Sequence, residues 1–236
     1  MDYFRNIVVV AALAGAIAGL GMTLAQQLTT VPLIFEAEVY EEQGATPAHD
    51  HGDVATAQAG AHEHGDEGWK PADGIERTFF SLLANVVTGI GFALLLIAAS
   101  ELFGGIRDWR QGVFWGLAGF AIFTLAPGLG LPPELPAMPA AELGARQLWW
   151  VGTALSTGLG LGLLVYGRSP LTVIAAIALL AAPHVIGAPQ PASYETPIPE
   201  GLYHSFVVAV VLTTLLFWVL LGGLAGLFRG RFVHSS

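Results

Sequence analysis

Along this chain the apolar residues fall in long, nearly unbroken blocks. They do not alternate as in a half-buried strand, and they do not form the narrow stripe of a surface helix. Blocks near 20 residues long match a helix crossing the hydrocarbon core of a bilayer. Six are present, at about residues 7–28, 79–100, 112–129, 148–167, 171–186 and 206–228. The pattern predicts an all-α, polytopic membrane bundle with six transmembrane helices, forming a single membrane domain over residues 1–236. The fifth block is the shortest and contains Pro183-His184. If it were re-entrant, five spans would remain. Gly15 and Gly19, Gly112 and Gly116, and Gly222 and Gly226 are each four residues apart, the spacing of a helix-packing face. The first block exceeds the usual apolar core of a cleaved leader, about 7–15 residues, and is expected to be retained.

One polar segment is long. Residues 29–78 read as a loop between the first two spans. It opens with the amphiphilic stretch Thr29 to Glu42, and its His-rich part, residues 43–68, is too poor in apolar residues to build a core. That part is expected to be disordered without a ligand.

Charge sets the orientation. With six spans and cytoplasmic N- and C-termini, the inner segments carry Arg5, Arg107, Arg110, Arg168, Arg229 and Arg231, against Lys70, Arg77 and Arg146 outside. This is the bias of the positive-inside rule. It makes residues 29–78 extracytoplasmic and puts 15 of the 18 carboxylates outside, all but Asp2, Glu101 and Asp108. Such a surface concentrates cations within a Debye length, ~8 Å at physiological salt.

Composition removes several function classes. The chain has no cysteine, hence no thiolate metal site and no cysteine nucleophile. Its formal charge of −9 argues against nucleic acid as a partner. Lys70 is the sole lysine and is not part of a phosphate-binding Gly-Lys-Ser/Thr loop. No nucleophile or acid–base constellation calls for an enzyme.

The chemistry lies in the long segment. His49-Asp50-His51-Gly52-Asp53 and His62-Glu63-His64-Gly65-Asp66-Glu67 each hold a His-x-His pair. In extended chain, residues i and i+2 point to the same side, so each pair can offer two imidazoles to one ion. Asp50, Asp53, Glu63, Asp66 and Glu67 add hard oxygens. Imidazole with carboxylate suits Co, Ni, Zn and Cu(II). The same residues also fit a solvated acidic linker. Polar residues at the span ends are candidates for a permeation path, since such groups are costly in a membrane. They are Gln26, Gln27, Asn85, Arg146, Gln147, His184 and His204, with Glu36 beside Glu38, Glu41 and Glu42 as a relay from the loop. His184 stands out because Pro183 frees a backbone carbonyl. All of these residues lie toward the outer side. Interfacial anchoring and helix–helix hydrogen bonding are the plainer roles for each.

Six stretches carry a family resemblance: Leu33-Ile-Phe-Glu-Ala-Glu-Val-Tyr-Glu41, the His/acid segment ending His62-Glu-His64, Trp69-Lys-Pro-Ala-Asp-Gly-Ile-Glu-Arg-Thr78, Gly130-Leu-Pro-Pro-Glu-Leu-Pro, Gly144-Ala-Arg-Gln-Leu-Trp-Trp150 and Pro183-His-Val-Ile-Gly-Ala-Pro189. In these the chain resembles the CbtA-type cobalt transporter subunits. The resemblance implies import of cobalt for cobalamin synthesis across a bacterial inner membrane, together with a small one-span, His-rich CbtB-type subunit. It supplies no metal ligands, and members are usually described with five spans. The combined expectation is an importer subunit in the lipid bilayer, with possible homo-oligomers. Its substrate is Co²⁺, or Ni²⁺ or Zn²⁺, and it has no tightly bound cofactor. A metal sensor or scaffold and a metal exporter are the alternatives. A single cysteine at position 234 of this cysteine-free chain should react with impermeant thiol reagent only from the cytoplasm; reaction from outside would refute an even number of spans.

Overall fold

The computed structural model describes residues 2–45 and 71–232, and every regular element among them is helical. α1 (Asp2–Leu28) runs 27 residues without proline. It breaks for one residue at Thr29, whose hydroxyl donates to the Ala25 carbonyl at 2.8 Å. α2 (Thr30–Ala45) follows at once, with Pro32 in its first turn, where no intrahelical N–H is needed. α3 (Ile75–Glu101) ends in a turn at Gly104 and Gly105, with φ of 92° and 74°, a region open to glycine at little cost. The Asp108 side chain then caps α4, accepting from the Gln111 amide at 2.9 Å.

α4 (Trp109–Gly130) contains one π turn, Ala121–Leu125. Pro127 accounts for it. The proline ring lacks an N–H and crowds the carbonyl four residues earlier, at Phe123, and widening the helix relieves the crowding. α5 (Leu143–Tyr166) is capped by Glu142, whose carboxylate accepts from the amides of Gly144 at 2.8 Å and Ala145 at 2.6 Å. Those bonds hold its pKa below the usual carboxylate range. The cap therefore contributes stability above the unfolded value and loses it as pH falls through the lower, folded one. α6 (Pro170–Ile186) opens with a Ser169/Thr172 capping box. α7 (Glu200–Phe232) is the longest, 33 residues, or about 50 Å at 1.5 Å per residue.

α1 packs along α3 and α7, and α4 packs along α7. Val10, Ala14, Ala93, Ile97, Phe120, Trp218 and Leu221 form the core these four helices share. α5 and α6 form an antiparallel hairpin attached through the π turn of α4. Asn6 Nδ2 donates to the Phe232 carbonyl at 3.0 Å, so the N-terminal end of α1 and the C-terminal end of α7 share one face, here the near face. Beyond the opposite, far face, α2, the first turns of α7 and the proline-rich segment after α4 bury Ala37, Leu135, Ile198, Leu202 and Phe206 in a second cluster.

Among the described residues five helices are long and apolar enough to cross a membrane: Tyr3–Leu28, Ile75–Glu101, Trp109–Gly130, Leu143–Tyr166 and Glu200–Phe232. The sixth predicted span, 171–186, is a 17-residue apolar helix below that length. It is not confirmed as a crossing, although it runs back alongside α5 as far as Trp149, whose indole donates to the Pro183 carbonyl at 3.3 Å. The predicted loop 29–78 needs correcting at both ends. Thr30–Ala45 is helix because Leu33, Ile34, Ala37 and Tyr40 recur at helical spacing and pack under α7, and α3 starts at Ile75. The His-rich residues 46–68 lie outside the described residues.

The three Gly-x-x-x-Gly stretches are packing faces. Gly112 and Gly116 lie against Gly222, and a Cβ at any of the three would overlap backbone of the facing helix. Gly226 abuts Asp108 and Trp109. Gly15 meets Gly89 and Ile90, and Gly19 meets Asn85 and Val86. Gly116→Leu should destabilise the fold by about 1–3 kcal/mol, the range for overpacking. Gly162→Leu, at a position with open space, should not. Thermal unfolding in detergent reads the difference, and equal midpoints would refute the contact.

Candidate functional site

At the far face the root of the His/acid segment, at Pro71, opens on an acidic pocket of about 660 Å³. Glu38, Glu41, Glu42, Asp73 and Arg77 line it with Pro71 and Ala72. Arg77 is committed within it. Its two terminal nitrogens reach both Glu38 oxygens, at 2.7 and 3.3 Å, and one also reaches Asp73 at 3.1 Å. The guanidinium also lies over the Phe35 ring at 4.8 Å. This fork joins α2 to the start of α3, and among the described residues the pocket lining holds four carboxylates and one cation.

From the pocket a line of neutral polar groups descends between α1 and α3. Gln27 donates to the Thr78 hydroxyl at 3.3 Å. Deeper, Asn85 Nδ2 donates to Gln26 Oε1 at 2.6 Å and to Thr23 Oγ1 at 3.0 Å. Asn85 is ten residues into α3, about 15 Å along its axis. Thr29 and Thr213 hydroxyls, 3.0 Å apart, tie the same end to α7. The line stops at the Gly15–Gly89 contact, where the two backbones leave no room between them. The physical basis is simple. Glycine at 15, 19 and 89 draws the helices together, and side-chain amides and hydroxyls one or two turns further out then bond across a short gap.

The permeation candidates from sequence do not form one vestibule. Gln26, Gln27 and Asn85 share the α1–α3 seam. Glu36 is exposed on α2 and takes no part in the pocket, while its neighbours Glu38, Glu41 and Glu42 line it. Arg146 is held by Glu134 at 2.9 Å. With Gln147 it borders a separate, mostly apolar pocket of about 510 Å³ beside Trp150. His204 is exposed at the start of α7. His184 is exposed too, edge-on to Trp149 with ring centres 6.1 Å apart. The carbonyl that Pro183 frees is that of Leu179, four residues earlier, and Ser156 Oγ occupies it at 2.6 Å. It is therefore not available to an ion.

The proposed metal ligands His49, Asp50, His51, Asp53, His62, Glu63, His64, Asp66 and Glu67 lie outside the described residues. Among the described residues no group of three His, Asp or Glu is placed to hold a metal ion.

One polar site was missed. At the near face Arg229, 7% exposed, donates through Nε to Glu101 at 2.8 Å and through a terminal nitrogen to the Ile106 carbonyl. Tyr3 donates to the other Glu101 oxygen at 2.6 Å. Gly105 makes room, since a Cβ there would overlap the guanidinium. In the sequence Arg229 shows only as an inner positive charge. The signal available was Glu101, the one carboxylate at the inner end of its span.

Against known families, the model described as "Probable cobalt transporter subunit (CbtA)" matches residues 4–230. The chain belongs to the CbtA family. No curated protein and no solved structure matches it. The CbtA match spans the acidic pocket, the amide seam and, Tyr3 apart, the near-face cluster; the family's description together with the five long apolar helices makes this a multi-pass transporter subunit. In this CbtA chain, Asn85→Ala would leave the Gln26 carbonyl without its donor. Interhelical bonds in membranes average about 0.6 kcal/mol with a ceiling near 1.7. A loss of about 1 kcal/mol in reversible unfolding is expected; unchanged stability would show that the seam does not hold α1 to α3.

Proposed function

We propose that the chain is the membrane-embedded subunit of a bacterial divalent-metal importer and that its ion is Co²⁺, the metal of its family's description. In this reading the His-x-His pairs and carboxylates of residues 49–67 collect the hydrated ion outside the inner membrane. The ion then enters the acidic pocket at the root of that segment and moves along the α1–α3 seam. The chain crosses six times, α6 included, with both ends cytoplasmic, and it works with a small His-rich one-span partner subunit, singly or as a homo-oligomer. The juxtaposition of four elements in sequence carries this reading: the segment's root, the carboxylates Glu38, Glu41, Glu42 and Asp73, the Gln27–Thr78 pair and the Gln26–Asn85–Thr23 cluster.

The chemistry fits stepwise handling. Imidazole is a good ligand for borderline metals only when neutral, so capture weakens as pH drops through about 6.5. Carboxylates hold the ion by charge, and neutral amide and hydroxyl oxygens hold it more weakly still. A gradient from stronger to weaker sites permits release, which conduction requires. Two observations support the six-crossing topology: the Asn6–Phe232 contact at one face and the return of α6 to the level of Trp149.

Uptake of radioactive cobalt by cells expressing the chain, with and without the partner subunit, tests the proposal. Replacing His49, His51, His62 and His64 by Ala should reduce uptake mainly at low metal, and Asn85→Leu should lower the maximal rate several-fold. His184→Ala, away from the seam, should leave the rate unchanged. No uptake with or without the partner, from protein shown to be folded in the membrane, would overturn the importer reading in favour of a sensor or scaffold.

A further inference from the structure

The α1–α3 seam has two different ends. Its far-face half is polar, from Gln27 to Asn85. Below the Gly15–Gly89 contact it is apolar and closed, with Val10, Ala11, Ala93 and Ile97 fully buried. At the near-face end it becomes charged. There Tyr3 on α1, Glu101 on α3 and Arg229 on α7 meet, and Arg229 also holds the Ile106 carbonyl just before α4.

An apolar plug would close this end with less desolvation, since a buried ion pair gains little over well-packed apolar residues. What a charged cluster adds is the ability to open. Glu101 keeps 27% of its side-chain surface exposed against 8% for the buried Arg229, so water already reaches the carboxylate side of the pair. The turn after α3 contains two glycines with positive φ, Gly104 and Gly105, and Gly105 lies directly against the guanidinium. Separation of α3 from α7 would therefore break two short polar contacts beside a glycine-containing turn.

We propose that Tyr3, Glu101 and Arg229 form a latch that keeps the near-face end of the α1–α3 seam closed, and that parting Glu101 from Arg229 opens the seam to that face. The assignment rests on the seam being the ion's route. The latch is then the exit gate, and a divalent cation reaching Glu101 competes with Arg229 for its carboxylate.

The test uses the full chain in membrane vesicles, with Val10→Cys as the only cysteine and an impermeant maleimide applied from one side at a time. Val10 is fully buried two turns in from Tyr3, and valine and cysteine are similar in size. With the latch intact, labelling should be slow from both faces. Glu101→Gln should raise the rate from the near face alone by about five-fold, the effect of losing ~1 kcal/mol from the closed state. Combining Glu101→Arg with Arg229→Glu should bring the rate back toward that of the parent. If Glu101→Gln does not fold, Tyr3→Phe, which removes one hydroxyl, should give a smaller near-face rise of about two-fold. An unchanged rate in Glu101→Gln, or in Tyr3→Phe where that variant has to stand in, would overturn the latch, as would equal acceleration from both faces. Labelling needs no cobalt. Accelerated labelling without any cobalt uptake would sink the transport reading and leave the latch standing, and uptake with unaltered labelling would do the opposite.

Discussion

Backbone contact at glycine is the constraint on which the rest of this bundle depends. In lipid, apolar side chains gain nothing from meeting one another instead of acyl chains, so helix association rests on close van der Waals fit and on polar bonds. Gly112 and Gly116 meet Gly222 closely enough that no Cβ fits on either side, and Gly15 and Gly89 do the same between α1 and α3. α7 therefore fixes α4, and α1 is held between α7 and α3. Once α1 and α3 are this close, Asn85 can reach Gln26 and Thr23, and Tyr3 can reach Glu101. Larger residues at 15 or 89 would push both polar clusters out of hydrogen-bonding range.

The polar groups divide by depth and by kind. Carboxylates and the Arg77 fork lie at the far face, neutral amides and hydroxyls lie deeper, and between the glycine contact and the near-face cluster the fully buried Val10, Ala11, Ala93 and Ile97 fill the seam. This order follows the cost of burial, which is least for neutral groups paired with each other and greatest for unpaired charge. It is also the order a cation would need in order to be attracted, stripped of part of its water and released. Stability and the proposed conduction thus ask for the same arrangement along α1 and α3.

Much of the fold was legible because membrane spans are dictated by length and composition. Five of the six predicted blocks correspond to helices long enough to cross, and the glycine spacings marked real contact faces. The helical character of residues 30–45 was less visible, because the acids Glu36, Glu38, Glu41 and Glu42 interrupt the apolar pattern; the Leu33, Ile34, Ala37, Tyr40 spacing was the signal. The seam was half legible. Gln26, Gln27 and Asn85 were picked out as polar residues in apolar surroundings, but that criterion also selected Arg146, His184 and His204, which lie elsewhere. Polarity at a span end shows that a group needs a partner, and only helix packing shows which partner it finds. Glu134 for Arg146 and Ser156 for the Leu179 carbonyl are answers that depend on three-dimensional neighbours up to 23 residues away in sequence. Glu101 and Arg229, 128 residues apart, are the extreme case.

Selectivity follows from the same division of ligands. The seam presents amide and hydroxyl oxygens, which favour hard ions and do not distinguish cobalt from magnesium by softness. Imidazole does distinguish them, and the histidines within the described residues, His184 and His204, are exposed and away from the seam. If the chain carries cobalt, discrimination has to occur before the seam, at the paired histidines of residues 49–64 or on a partner's imidazoles, while the seam sets the rate. A route built this way would pass any small divalent cation delivered to it. Removing the four histidines should then cost selectivity as well as low-metal capture, whereas changes at Asn85 should slow all divalent ions together. Under the proposed function, selection in the imidazole-bearing segment and conduction through the glycine-packed helices would reconcile a weak, neutral seam with a family described by cobalt transport.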